Sequence, residues 1–318
     1  MDLRQLHALI AVGEQGSFSA AAKALFTVQS NVSAHIARLE RELGVTLVDR
    51  LRGTLTAEGE LVVDRARRVE HELTSMRTDL ASFGAELTGE VRLGVIGTTA
   101  RWLIPRVLTE MREAHPKVRN IVVEGNTTSL MPQLLSAQVD MAVVNLPIDD
   151  AELIIEPLFD EDLVLIAPAD HPLADRDRVS LDQLAPHPMF MLPPGTALRE
   201  DLDNSCRKVN VKLVPLAEID GVRLVASLAF SGAGPAIVPA SAVPNVSVGP
   251  WRRVEIDGLT RRQVALARRS RALLSAPARA VADIVHSTAE IYGPDQPGVY
   301  PPGHVGDPSV QGRAPGAA

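Results

Sequence analysis

Cysteine is almost absent: Cys206 is the one thiol in 318 residues. No disulfide can therefore form within the chain, and no Cys-rich zinc site can be assembled. Long apolar runs are missing too, with nowhere 18 consecutive apolar residues, which excludes a membrane-spanning helix. The start, Met1-Asp2-Leu3-Arg4, lacks the basic, apolar and small-residue regions of a secretory signal, so a soluble cytoplasmic protein without membrane contact is expected. The eight histidines have no metal-ligand spacing, and Gly232-Ala233-Gly234 lacks the third glycine and the strand-to-helix order of a dinucleotide fingerprint. No Gly-x-Ser-x-Gly elbow occurs. No catalytic residue, metal or cofactor is expected. A basic excess is also missing, since 32 Lys+Arg face 39 Asp+Glu for a net charge of −7. Taken whole, that balance argues against nucleic acid as a partner.

What is present is enough apolar material, 46 %, for two or three buried cores. The first 58 residues read as short helices. Leu3, Leu6, Leu9, Ile10 and Val12 recur at helical spacing, Gly16 stops that helix, and Ser17 caps an Ala-rich one running from Phe18 to Leu25. A third helix begins at Gln29, and its apolar positions Val32, Ile36, Leu39 and Leu43 form one buried stripe. Extended pieces at Thr46–Val48 and Thr54–Thr56 flank a loop holding Asp49, Arg50, Arg52 and Gly53.

A long helix without an evident cap follows over 59–89. Val62, Ala66, Val69, Leu73, Met76, Leu80 and Phe83 step by 4 and 3, and a strict seven-residue repeat points to a dimerising coiled coil through 62–83. The alternative is a helix lying on its own domain. From residue 90 to 292 short apolar strands alternate with helices: Val91–Ile96, Ile121–Val123, Met141–Val144, Leu163–Ala167, Met189–Leu192, Leu213–Val214, Ala236–Val238 and Val264–Ala267. The pattern reads as α/β with a mostly parallel sheet. Its length favours two lobes, about 90–163 with 265–292, and 164–264. Residues 293–318 hold six Pro and six Gly and read as a disordered tail.

Two short helices with a polar outer face on the second suit a helix-turn-helix. Gln29 can pair with adenine, Asn31, Ser33 and His35 can reach base edges or phosphates, and Arg38, Arg50 and Arg52 can contact phosphate. An ordinary helical hairpin with a solvated face accounts for the same periodicity. Further along, Thr98 and Thr99 follow a strand and open a helix, where hydroxyls and free N–H groups suit a carboxylate or serve as plain caps.

Ser17 to Ala22, Gln29, Val32-Ser33, Ile36, Leu39-Glu40, Leu43-Gly44, Leu47, Arg50, Leu55-Thr56 and Gly59 resemble, without a gap, the N-terminal signature of LysR-type transcriptional regulators. Gly232 to Pro239, the heptad helix and the αβ lobes resemble the same family more loosely. The resemblance implies a winged helix-turn-helix over 1–58, a linker helix and a two-lobed, periplasmic-binding-protein-like effector domain. It further implies double-stranded promoter DNA as a partner, a small-molecule effector with carboxylates as candidates, a homodimer assembling to a homotetramer, and RNA polymerase as a further candidate partner. Thr98, Thr99, Thr128, Pro147, Met191 and Gly232 would line the inter-lobe cleft, and Arg199 could meet an acidic ligand there or simply sit at the surface. The chain departs from the family at Val28 and Ser30, which flank the glutamine, at Val48 and at Ala34. Thr27 would then have to cap the reading helix. An enzyme with an appended DNA-binding domain that represses its own operon is the alternative.

The charge is unevenly placed. Residues 1–53 hold six Lys/Arg and five Asp/Glu, a net +1, which leaves −8 for the remainder. DNA binding would depend on a few placed arginines and on avidity, with no broad basic surface.

Overall fold

The computed structural model describes residues 1–50, 52–82, 86–245 and 249–303. It opens with α1 (Leu3–Gln15), α2 (Phe18–Ala24) and α3 (Gln29–Leu43). Ser17 Oγ accepts from Ala20 N and so caps α2, as its place before an Ala-rich run suggests. Val32, Ile36 and Leu39 are fully buried in a small core with Leu6, Leu9 and Val12 of α1 and Ala21 of α2. The antiparallel pair β1 (Val48–Asp49) and β2 (Thr54–Leu55) forms a wing.

The linker helix α4 (Ala57–Ala81) spans 25 residues, about 37 Å at 1.5 Å each. It is not capless: Thr56 Oγ1 accepts from Gly59 N at 3.0 Å. Gly59 is required there, because a Cβ would lie 2.0 Å from Leu47 O of the wing. The expected apolar stripe divides along the helix. Ala66 is buried and Val62 half-buried against the N-terminal core, whereas Val69, Met76 and Leu80 are 44 %, 54 % and 66 % exposed. Leu73 is half-buried, and Phe83 lies outside the described residues.

The remaining elements are β3 (Gly89–Ile96), α5 (Gly97–Ala114), β4 (Val118–Gly125), α6 (Thr127–Leu135), β5 (Met141–Asn145), β6 (Leu153–Glu161), β7 (Leu163–Pro168), β8 (Arg178–Ser180), α7 (Leu181–Leu184), β9 (Met189–Met191), α8 (Ala197–Lys208), β10 (Pro215–Glu218), α9 (Val222–Phe230), β11 (Ala236–Pro239), β12 (Trp251–Asp257), β13 (Arg262–Arg269), α10 (Ala276–Tyr292) and β14 (Val299–Tyr300). Two sheets result, in the orders β14-β6-β13-β5-β3-β4 and β10-β9-β11-β7-β12-β8. The chain passes between these lobes twice, at Asp162 and at Gly258–Arg261.

Both sheets are mixed: parallel neighbours prevail in the second lobe and antiparallel ones in the first. β6 and β13 pair antiparallel, as do β13 with β5, and β7 with β11 and β12. The strands that carry the chain across and back between lobes run against most of their neighbours, β12 alone of them also pairing parallel, with β8, and the other parallel pairs, such as β3-β4 and β3-β5, join strands linked through helices. The strand expected at Leu213–Val214 sits at Pro215–Glu218. Part of the expected disordered tail is ordered: Val299 and Tyr300 pair with Glu161 and Asp160 at the edge of β6. Residues 304–318 lie outside the described residues.

Candidate nucleic-acid interface and inter-lobe cleft

The first candidate site is built on α3. Its buried stripe fixes which way the polar side chains point. Gln29, Asn31 and Arg38 are exposed. Ser33 is half-buried and accepts from Arg50 Nη1 at 3.3 Å. Arg50 Nη2 also donates to Glu40 Oε2 at 3.1 Å, and the guanidinium lies 5.9 Å from the Phe18 ring centroid. Glu40 Oε1 accepts from the wing amides of Leu47 and Val48 at 2.9 and 3.3 Å. This one carboxylate therefore ties the wing to α3 and aims Arg50 beside Ser33. Arg52 stands on the wing loop, 82 % exposed and 3.7 Å from Asp49.

Two expectations fail here. Thr27 does not cap α3; its Oγ1 accepts from Asn31 Nδ2 at 3.0 Å, and Val28 at the cap position makes no side-chain bond. The exchange of hydroxyl for isopropyl at residue 28 removes the usual acceptor. His35 is not brought together with Gln29 and Ser33. At 100° per residue it lies about 200° around the helix from Ser33, and its Nδ1 is buried without a partner. Phe26, which the sequence reading passed over, is 98 % exposed with φ +52° in the turn before α3.

The second site lies where the lobes meet. Arg262 Nε and Nη2 donate to Glu161 Oε1 at 2.9 and 2.5 Å, and Nη2 also donates to Thr98 Oγ1 at 3.0 Å. Glu161 Oε2 accepts from Ser241 N at 2.9 Å. Thr98 is thus spoken for, while the fully buried Thr99 hydroxyl has no partner. Opposite, Arg223 Nη1 of α9 donates to both carboxylate oxygens of Glu124 at 2.7 and 2.5 Å and ties the lobes. Gly97 lies beneath that pair, where a Cβ would stand 2.7 Å from Glu124 Oε1.

A cavity of about 520 Å³ opens between Leu146 and Pro147 of one lobe, Leu198 and Asp201 of the other, and Arg262 and Gln263 at the crossing. Burial, reinforced by neighbouring Glu200, pushes the Asp201 carboxyl up against the opposing pull of Arg262. Of the expected effector residues, Pro147 lines this cavity. Thr98 faces a separate groove of about 470 Å³ between α5 and α9, with Arg101 and Phe230. Thr128 is exposed in the first turn of α6, and the neighbouring Thr127 Oγ1 accepts from Asn145 N at 3.0 Å. Met191 is buried inside its own lobe.

Gly232 is not at the cleft. It closes the far end of α9 with φ +78° against Pro250, a helix length from Arg223. The glycine-rich run builds the turn into β11. Arg199 is also committed, donating to Asp203 at 3.0 Å, Glu218 Oε1 at 3.1 Å and Leu192 O at 2.7 Å. The sequence reading missed Glu161 and Arg262, which stand among other charged and polar residues in Asp160-Glu161-Asp162 and Arg261-Arg262-Gln263 and carry no local sign of burial.

Residues 3–60 match the family described as bacterial regulatory helix-turn-helix protein, lysR family, and residues 84–290 match the LysR substrate binding domain. The chain is 36 % identical over 251 residues to a probable hydrogen peroxide-inducible genes activator of Mycobacterium leprae, covering 76 % of this chain and 79 % of that one. It is 31 % identical over 247 residues to the DNA-binding transcriptional dual regulator OxyR of Escherichia coli K12, covering 77 % and 81 %. A point variant of full-length OxyR from Pseudomonas aeruginosa superposes with a TM-score of 0.72 at 24 % identity, over 92 % of this chain and 95 % of that one, a likeness of fold.

Proposed function

The chain belongs to the lysR family of bacterial DNA-binding transcriptional regulators, and we propose that a small molecule held between its two lobes controls its grip on promoter DNA in the cytoplasm. It is a regulator, not an enzyme, as its relatives are. The observation that carries the effector reading is the cavity of about 520 Å³ walled by both lobes around Arg262. A ligand there touches each lobe, so it favours one lobe arrangement by its differential affinity. Lys208, which lines the same cavity, suits an anionic group such as a carboxylate.

On the DNA side, Gln29 and Ser33, about 40° apart around α3, are proposed to face base edges, with Asn31, Arg38, Arg50 and Arg52 on phosphates. The exposed stripe of Val69, Met76 and Leu80 on α4 supports pairing of two chains, and two such pairs would make the tetramer. Paired reading heads match two half-sites.

A thermal-shift screen of small carboxylates and aromatics on the full-length protein tests the effector reading. A compound that raises the unfolding temperature and alters the DNA footprint supports it; no shift across the screen, with DNA binding intact, removes it.

The names of the relatives favour a second reading, in which peroxide is the signal. In this chain it would have to act on Cys206 alone, with peroxide oxidising the thiol to a sulfenic acid and releasing water. Cys206 is buried on α8, and burial, with Asp203 adding to it, pushes its thiol up, which disfavours the reactive thiolate. Intact-mass measurement after peroxide treatment separates the two readings. Gain of one oxygen at Cys206 together with a changed footprint favours peroxide; an unchanged mass favours the ligand.

A further inference from the structure

Residues 295–303 lie beyond the matched substrate-binding region, which ends at 290, yet they are bonded to both lobes at the crossing. Asp162 is the single residue between β6 and β7, and it is held on every side. Its N–H donates to Gly298 O at 2.8 Å, and its carbonyl accepts from Ala240 N at 2.9 Å. Asp162 Oδ1 accepts from Arg261 Nε at 2.8 Å, and Oδ2 accepts from Tyr300 Oη at 2.8 Å. Arg261 belongs to the other crossing, immediately before β13, and its guanidinium stacks 3.8 Å above the Tyr300 ring centroid. Tyr300 therefore grips one residue from each of the two strands of chain that join the lobes.

The segment is anchored on both sides of that grip. Gly303 N donates to Asp160 Oδ2 at 2.9 Å, and Val299 pairs with Glu161, on the first lobe. Arg253 Nη1 of β12 donates to Pro297 O at 3.2 Å, on the second. Gly298 fits only as glycine, with φ +77° and a Cβ position 2.9 Å from the Ala240 Cβ. Asp160 and Arg261 also line the inter-lobe cavity, so the segment stands directly behind that cavity's wall.

We propose that residues 295–303 are a clamp on the hinge, with Tyr300 as a positioning residue that sets the lobe angle and hence the response to a ligand in the cavity. The inference deepens the effector reading and rests on it for its link to regulation. A change of angle between the lobes turns the backbone at 162 and 261, so it must stretch or break the Tyr300 contacts. A ligand that moves the lobes works against the clamp, and one that fits the clamped angle works with it.

The test uses the full-length protein and its Tyr300→Phe and Tyr300→Ala variants, followed by amide hydrogen exchange. In Tyr300→Ala the amides of Asp162 and Ala240 should exchange faster by about tenfold or more, while those of β3 and β5 keep their rates. Tyr300→Phe retains the ring over Arg261 and should fall between. Unchanged rates at Asp162, or equal acceleration throughout both lobes, would overturn the clamp. Affinity for a compound found by the thermal-shift screen gives the second readout. If it binds wild type and Tyr300→Ala equally and slows hinge exchange equally in both, the effector reading stands and the clamp falls. If the hinge loosens in Tyr300→Ala but no compound slows hinge exchange, the clamp stands and the effector reading falls.

Discussion

Arg262 and Glu161, 101 residues apart in the chain, form an ion pair through two donors on one carboxylate oxygen at 2.9 and 2.5 Å, at a point where both residues are buried. Each stands next to one of the two crossings between lobes, so the pair fastens the crossings to each other. Thr98 Oγ1 and Ser241 N complete the shell, which answers most of the polar capacity that burial would otherwise leave open.

Removing one partner should therefore cost far more than the pair itself is worth. Arg262→Met leaves a buried carboxylate without its cation, and about 3–5 kcal/mol of effector-domain stability should be lost. Adding Glu161→Gln should restore part of it. Trp102 and Trp251 are the two tryptophans of the chain and each lies in a different lobe, so urea unfolding followed by fluorescence reads this domain. Equal midpoints for wild type and Arg262→Met would contradict the assignment.

The reading head separates base contacts from phosphate contacts. Gln29→Ala and Ser33→Ala should weaken binding to a selected operator by about 1–3 kcal/mol while leaving nonspecific binding unchanged. Arg50→Ala should weaken both and lower the salt slope by about 1. His35→Ala should do neither, given its place on the far flank of α3. Fluorescence anisotropy at several salt concentrations, on the operator and on random duplex, distinguishes the patterns.

The N-terminal half was legible because its signals are local. The spacing of Val32, Ile36 and Leu39 defines the buried face of α3, and the exposure of Gln29 and the half-buried place of Ser33 follow from it. The effector half was legible only where strand and helix alternate. β6 (Leu153–Glu161) was missed because Glu156, Pro157, Asp160 and Glu161 interrupt its apolar pattern, and its partners β13 and β14 come from more than 100 residues away. Gly232 was expected at the cleft, but which end of α9 it occupies is decided by tertiary packing. The same holds for Arg262, since nothing near it in sequence announces Glu161.

On α4, Met76 and Leu80 are exposed, so charges there should not unfold the chain. Met76→Glu with Leu80→Glu should halve the mass seen by light scattering if this face joins two copies, because a heptad seam does not tolerate paired like charges. Circular dichroism should be unchanged. A retained dimer would place the interface elsewhere.

Acid should loosen α4 from the first lobe. The helix is docked by Arg68, which donates to Leu135 O at 2.6 Å and Glu152 Oε2 at 2.8 Å, and by Asp79, whose Oδ1 accepts from Ala276 N at 2.6 Å. Between them His71 Nδ1 lies 3.5 Å from Asp140 Oδ1. Burial is the main cause that holds the His71 imidazole below its ordinary 6.5, with the charge of Arg269 acting the same way and Asp140 and Glu72 opposing. Released from the lobe, the ring regains its ordinary value and binds a proton more readily than when docked. Docking is therefore at full strength above 6.5 and weakens as pH falls below it toward the lowered value. Asp140, pushed up from 3.8 chiefly by its own burial, contributes with the opposite sign above 3.8. His71→Gln removes the first effect alone. Exchange of α4 amides, corrected for intrinsic rates, should rise between about pH 7.5 and about pH 5.5 in wild type and stay level in His71→Gln. A rise of equal size in both proteins would assign the pH response to another group.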